Sequence, residues 1–452
     1  MEAEQLMAQA ARALDEARGA PDRLTYEELA AFTEPRLRTE VPGPRARAVI
    51  EADAQVTSPS LPRAYALAPA RGAGAVVEDV DGNIFLDFNA AIAVASTGHS
   101  HPTVVEAIKR QAELLLHYSA SDFYLPIYAE VCARLNGITP AMGPARSFLT
   151  NSGTEAVEAA IKLARSHTGR QYIIAFHGSF HGRSYGSLTL TASNAKYHEG
   201  FGPLLPGVVH APFGADDTDR YIERVIFKRL VRPNEIAAIV VEPIQGEGGY
   251  VVPPAGWLPY LRELCSKHGI LLVADEVQSG MGRTGKMWAV QNWDVEPDVL
   301  LAGKGIASGM PLGAMIARAD IMTWQVGAHG STYGGNPVAC AAALASIDLI
   351  EGGLSANAAS VGMFILDGLR ALQGRRSLFR EVRGIGMMIG IEFETGAMAD
   401  AVEVGCFRRG LLVLRAGDAA IRMAPPLVLS REQATTGLRI FEEACAEVAD
   451  TA

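Results

Sequence analysis

Between about residue 100 and residue 345, short apolar runs alternate with amphipathic stretches. The runs are 172–176, 236–241, 270–274, 299–302 and 312–317, each four to six residues long and bounded by turn-forming residues. Runs of this length and composition predict buried strands. Between them, Leu258, Leu261, Leu264 and Cys265 recur at helical spacing, and His268-Gly269 supplies a C-terminal stop. Such alternation predicts an α/β fold whose parallel-type sheet is covered by helices on both faces.

The flanking segments read differently. Leu6, Ala10 and Leu14 fall at helical spacing within residues 1–18, whereas 41–71 is rich in proline and predicts an extended crossing segment. Ala75-Val76-Val77, the turn Asp81-Gly82-Asn83 and the run 84–88 predict a hairpin. After 345 come a long helical stretch, an alternating segment at 382–391 and a closing helix from Arg431, which suits a second, smaller α+β unit. The expected division is a helical arm at 1–45, the first part of the small domain at 46–100, the large domain at 101–345 and the rest of the small domain at 346–452.

Composition narrows the functional classes. The 452 residues carry a net charge of −10 with no long Lys/Arg run, which argues against a nucleic-acid partner. The five cysteines are scattered and never form a C-x-x-C pair, so neither a disulfide framework nor a zinc knuckle is expected. The first twenty residues hold four acids and no continuous apolar core, unlike a secretory signal. No unbroken run of about 18 apolar residues occurs, which argues against a membrane span. A cytoplasmic protein is expected.

Two of the apolar runs deliver single charges. The run 270–274 ends in Asp275, and 299–302 leads through Gly303 to Lys304. Charges at strand ends lie at the edge where α/β proteins bind ligands. A carboxylate and an amine there suit pyridoxal phosphate (PLP): the amine can form a Schiff base, and the carboxylate can keep the pyridine nitrogen protonated. Ala302-Gly303-Lys304-Gly305 lacks a phosphate loop, and the glycines of 384–390 miss the dinucleotide spacing by one residue.

Further candidates stand at other strand ends. Asn151-Ser152-Gly153-Thr154-Glu155-Ala156 opens a helix and could cradle a phosphate or simply cap. Glu158 and Lys162 on that helix suit an i,i+4 pair. Phe180-His181-Gly182-Arg183 follows 172–176, where an aromatic ring could cover a planar cofactor and the arginine could hold a carboxylate. Glu242 and Glu247 stand in a glycine-rich loop after 236–241. His99 and His101 have no third ligand nearby, so helix capping is expected rather than a metal.

Taken in order, these motifs, with Asp275-Glu276-Val277-Gln278, Lys304 and Thr332-Tyr333-Gly334-Gly335-Asn336-Pro337, resemble those of class III PLP-dependent aminotransferases. The likeness is strongest to 4-aminobutyrate and related ω-amino-acid transaminases. It implies PLP fold type I, with a large, mixed but mostly parallel seven-stranded sheet and a smaller α+β domain built from both termini. It also implies a ping-pong reaction through a Schiff base at Lys304, which then moves the proton, with Asp275 on the pyridine nitrogen. Gln278 would contact the ring hydroxyl, Val277 and Phe180 would cover the ring faces, and His181 and Glu242 would support the cofactor. Gly153 and Thr154 would bind the phosphate, and Thr332 would reach the phosphate of a neighbouring subunit in a homodimer. The α-carboxylate of 2-oxoglutarate would meet Arg422 and the distal one Arg183, while Glu247 would neutralise Arg422 for donors that lack an α-carboxylate. Ile92 stands where ornithine-type enzymes resemble one another in having tyrosine, which disfavours a diamine or diamino-acid donor. Racemases and epimerases of the same fold are the main rival; they tend to carry aspartate at the position of Glu247.

Overall fold

The computed structural model describes residues 24–140, 143–214, 221–375 and 378–451, besides Ala8 and Ala11. The helical spacing read in 1–18 lies outside the described residues, apart from those two alanines. The chain opens into β1 (Pro69–Ala73), β2 (Val76–Asp79) and β3 (Ile84–Asp87), an antiparallel meander that includes the expected hairpin. Within 41–71 the extended expectation fails, because Pro44–Val56 is a helix. Pro44 stands at its first turn, where proline's fixed φ and missing N–H start a helix rather than break one.

The central layer comprises β4 (Ala145–Thr150), β5 (Tyr172–Phe176), β6 (Val208–Ala211), β7 (Ile236–Val241), β8 (Leu271–Asp275), β9 (Val299–Ala302) and β10 (Gly313–Arg318). They form one seven-stranded sheet in the order β4-β10-β9-β8-β7-β5-β6. All neighbouring pairs from β9 to β6 are parallel, and β10 runs against both β4 and β9. The sheet is therefore mixed but mostly parallel, and its central strands are buried on both faces.

Beyond it, β11 (Phe379–Ile385), β12 (Met388–Phe393), β14 (Leu414–Ala416) and β15 (Ala420–Met423) form an antiparallel sheet. Between them in sequence, β13 (Leu411–Leu412) leaves that neighbourhood and pairs in parallel with β3, Leu411 opposite Leu86. The N-terminal meander is thus completed by the C-terminal part of the chain. The helical stretch Pro337–Arg375 has the length and composition to cross a bilayer, yet half of its most apolar window is buried in the fold. Cys340, Ala342, Ala343 and Ile347 lie in the core, and the helix is interrupted where Gly353 takes φ 142°.

Residues Ala90, Ala91, Ile92 and Ala93 take φ values of 50°, 52°, 66° and 58°, a left-handed turn without glycine. Such a turn costs on the order of 1–2 kcal/mol per residue, so tertiary bonds must hold it. Asp87 Oδ1 accepts from the N–H groups of Asn89 (2.8 Å) and Ala90 (3.0 Å), and Oδ2 is bonded to His99 Nε2 at 2.6 Å. Farther along, Ala424 N donates to Phe88 O at 2.7 Å and Leu427 N to Ser96 O at 2.9 Å. Ala93 packs with Ile244, Tyr250 and Ala424. His99 is thus a brace for Asp87, and His101 Nδ1 caps the next helix by accepting from Thr103 N at 3.3 Å. Replacing Ala91 by glycine should raise the urea midpoint by the equivalent of about 1 kcal/mol, relief of the left-handed conformation exceeding the added chain entropy. An unchanged or lowered midpoint would show that the turn is not strained.

Candidate active site

The C-terminal ends of β4, β5, β7, β8 and β9 share one edge of the central sheet. They deliver Gly153, Phe180-His181, Glu242, Asp275 and Lys304, in that order. Because β8 and β9 are parallel neighbours with Asp275 opposite Leu301, the carboxylate and the amine come from adjacent strands.

Asp275 is buried with His181, whose Nδ1–H donates to Asp275 Oδ2 at 2.7 Å. Asp275 Oδ1 accepts from Val277 N at 3.1 Å. Burial pulls the His181 pKa down, but the hydrogen bond and charge of Asp275 outweigh it and leave the imidazole above its ordinary value. Its Nε2 is buried without a hydrogen-bond partner among the described residues, an orphaned polar atom beside the carboxylate. Glu242 Oε1 accepts from Phe180 N at 2.9 Å and Oε2 from Gly246 N at 2.8 Å. Both Glu242 oxygens therefore tie two strand-end loops together, and burial pushes the carboxyl up to about 7.

Lys304 takes φ 45°, a strained conformation in which the following 3₁₀ turn (Lys304–Ile306) begins. Its ammonium makes no hydrogen bond or ion pair among the described residues. Burial lowers its pKa, opposed by the nearby Glu247 carboxylate. Val277 stands between the Lys304 segment and the start of helix Gly153–Thr168. A Cβ on Gly153 would lie 2.7 Å from Val277 Cγ1, and one on Gly303 would lie 3.1 Å from the same atom. Gln278 Oε1 accepts from Tyr250 OH at 2.9 Å, which fixes the amide and leaves its N–H groups to donate elsewhere.

At the helix start, Ser152 Oγ accepts from Glu155 N at 3.4 Å. The N–H groups of Gly153 and Thr154 head this helix, where an anion is favoured. The Thr154 hydroxyl faces the other way, 2.7 Å from Ser184 Oγ and 2.5 Å from Ser187 Oγ. Glu158 closes that cluster by accepting from Ser184 Oγ at 2.6 Å and Ser187 N at 2.9 Å. The expected Glu158–Lys162 pair does not form: Lys162 Nζ instead donates to Ala328 O at 2.9 Å. An interior hydroxyl cluster offers the carboxylate better-desolvated partners than an exposed ammonium one turn away.

The two arginines differ in their partners. Arg422, on β15, pairs through Nη1 with Glu247 Oε1 at 2.6 Å. Burial favours the neutral form of each, yet their attraction prevails, holding Glu247 below and Arg422 above the ordinary range. Arg422 Nε is buried with no hydrogen-bond partner among the described residues. Arg183 has no ion pair or hydrogen bond among the described residues; its guanidinium lies 4.4 Å from the Tyr197 ring centroid and 5.9 Å from that of Phe180. Ile92 is 42% exposed on the left-handed turn. Thr332 lies on an exposed loop and is bonded to none of these groups within the chain.

Tyr197 and Tyr250 were not singled out by sequence. Tyr250 follows two glycines and takes φ 56°, and Tyr197 lies in a 3₁₀ turn fourteen residues beyond Arg183, so neither carries a periodic signal. The aromatic-after-strand argument that found Phe180 offered no handle on either.

The donor set fits PLP on the structure's own terms: an unpaired amine, a buried carboxylate backed by histidine, and free N–H groups at a helix start. Residues 59–445 match the family model described as Aminotransferase class-III. The chain is 39% identical over 443 residues to a 4-aminobutyrate aminotransferase of Mycobacterium tuberculosis, covering 92% of this chain and 98% of the relative. It is 38% identical over 438 residues to an alanine/serine racemase of Pyrococcus horikoshii, covering 91% and 92%. Among solved structures, a PLP-bound amine transaminase from an uncultivated Pseudomonas species superposes with a TM-score of 0.81 at 33% identity, covering 87% of this chain and 97% of the other. Family model, relatives and strand-edge geometry agree: the chain belongs to the class III aminotransferases, and its cofactor is PLP.

Proposed function

We propose that the enzyme moves the amino group of an ω-amino acid resembling 4-aminobutyrate to 2-oxoglutarate in two separate half-reactions. The observation that carries this reading is the unequal state of the two arginines. Arg422 is already neutralised by Glu247 at 2.6 Å, and Arg183 has no counter-ion among the described residues. A donor with one carboxylate finds one open cation, Arg183. A keto acid with two carboxylates can also displace Glu247 and occupy Arg422. Without Glu247 a donor lacking an α-carboxylate would leave Arg422 buried and uncompensated, which is costly.

PLP, when bound, supplies a carrier for the amino group and an electron sink. Asp275, oriented by His181, holds the proton on the pyridine nitrogen. Lys304 Nζ would take the proton from the donor carbon and return it two atoms away, a 1,3-shift. Gln278, braced by Tyr250, meets the ring hydroxyl, and Val277 and Phe180 bound the ring faces. Glu242 braces the site through the Phe180 and Gly246 backbone. The N–H groups of Gly153 and Thr154 hold the phosphate, with Thr332 supplied by the second subunit of a homodimer. Leu114, Leu116, Phe123 and Tyr124 lie exposed in sequence near this loop's bonding partners and would be covered there. Five free cysteines suit a cytoplasmic setting.

The identity to a racemase supports one rival, since a PLP site with two proton-transfer groups can invert a carbon instead. Glu247 is tied to Arg422, which leaves Lys304 as the group free to move a proton. An ornithine-type donor is disfavoured by apolar Ile92. The visible band of the holoenzyme should bleach on adding 4-aminobutyrate alone and return with 2-oxoglutarate. Racemisation of a single enantiomer without keto acid, at a rate comparable to transamination, would overturn the assignment.

A further inference from the structure

We propose that Tyr197 is a positioning residue that holds Arg183 in place for a substrate carboxylate without neutralising it. This deepens the proposed function and rests on the role given there to Arg183.

Arg183 and Arg422 face the same demand and are held by opposite means. Arg422 is buried and takes a carboxylate partner, so an incoming carboxylate must compete with Glu247. Arg183 is exposed and has no carboxylate partner, yet a long flexible side chain left to itself would sample many rotamers. The Tyr197 ring supplies the restraint. Its centroid lies 4.4 Å from the guanidinium carbon, well inside cation–π range. A ring face attracts the cation but leaves the N–H fork available for bidentate bonding to a carboxylate.

Tyr197 is itself fixed on both sides. Asn194 Oδ1 accepts from Lys196 N at 3.0 Å and Asn194 O from Tyr197 N at 3.2 Å, which closes the 3₁₀ turn. The next residue, His198, donates from Nε2 to Leu188 O at 2.9 Å, in the helix Tyr185–Leu190 that follows Arg183. Tyr197 also meets Phe180 edge-on, with centroids 5.5 Å apart. Ring, guanidinium and the Phe180 side chain thus form one cluster. The Lys196 ammonium lies 5.3 Å from the same ring, on an exposed side chain. Burial and the Glu247 carboxylate raise the Tyr197 pKa, so the phenol stays neutral and does not become a second anion for Arg183.

The test uses the holoenzyme and butyrate, a carboxylate with no amine, whose binding is followed by perturbation of the visible band. Tyr197→Leu should weaken butyrate about three- to thirty-fold and raise KM for 4-aminobutyrate by a similar factor. The saturated rate should change by less than about twofold. Tyr197→Phe, which keeps the ring face, should restore both constants to within about twofold of the parent protein. Arg183→Ala is the reference. If Arg183→Ala weakens butyrate and Tyr197→Leu does not, Arg183 needs no such support and this inference fails while the proposed function stands. If Arg183→Ala leaves butyrate unchanged, the role of Arg183 itself is wrong. Loss of the visible band in Tyr197→Leu would make the residue a cofactor-retaining one, and would equally overturn the positioning role.

Discussion

Replacing Lys304 by alanine is expected to lower turnover by a factor of at least roughly 10³ and to remove the visible band of the holoenzyme. Three features mark this residue. It stands two residues beyond the end of β9, its φ of 45° is strained, and its ammonium has no hydrogen-bond partner among the described residues. Burial lowers its pKa, so the free-base amine is reached at a lower pH than for an exposed lysine, and only the free base can attack an aldehyde or accept a proton. The spectrum and the rate are separate readouts. A variant that kept both would remove Lys304 from the reaction, and one that kept the band but lost the rate would confine it to proton transfer.

The second large effect is expected at Arg422. Arg422→Ala should reduce kcat/KM for 2-oxoglutarate by roughly 10²-fold or more, the loss of a buried bidentate contact to a carboxylate. The half-reaction with 4-aminobutyrate should fall by less than about tenfold, because that donor has no carboxylate for Arg422. Single-turnover measurements of the two half-reactions separate these outcomes, and equal losses in both would deny the arginine its selective role. The argument turns on burial: Glu247 and Arg422 meet at 2.6 Å where the arginine is only 5% exposed, so breaking the pair matters far more than at the surface.

Asp275 and Lys304 were legible because one local rule found both, an apolar run that stops at a single charge. The same rule located Glu242 and, with an aromatic added, Phe180. The helix Pro44–Val56 was missed because proline was read as a breaker although it occupied the one helical position that favours it. Strand β6 escaped because it is a four-residue edge strand that contains His210 and follows Pro203 and Pro206. The left-handed turn at 90–93 could not be read from an alanine-rich stretch, which by propensity favours the right-handed helix. Its geometry is imposed from outside, by Asp87 and by Ala424, more than 300 residues away. Thr154 shows the opposite limit: the motif located the helix start, but only the structure reveals that its hydroxyl faces Ser187.

The pairing of β13 with β3 bears on how the chain acquires activity during synthesis. Leu86 meets Leu411 across more than 300 residues, a contact of high sequence separation whose loop-closure entropy delays its formation. The central sheet, made of residues 145–318, can assemble from the earlier part of the nascent chain, and with it Asp275 and Lys304. Ala424, whose N–H bonds to Phe88 O beside the left-handed turn, and Arg422 emerge from the ribosome after that sheet. A partly made chain would therefore hold Lys304 at the sheet edge before it holds Arg422. The proposed contact for the second carboxylate of the keto acid thus matures after the sheet edge that holds Lys304, once the N-terminal meander has met β13.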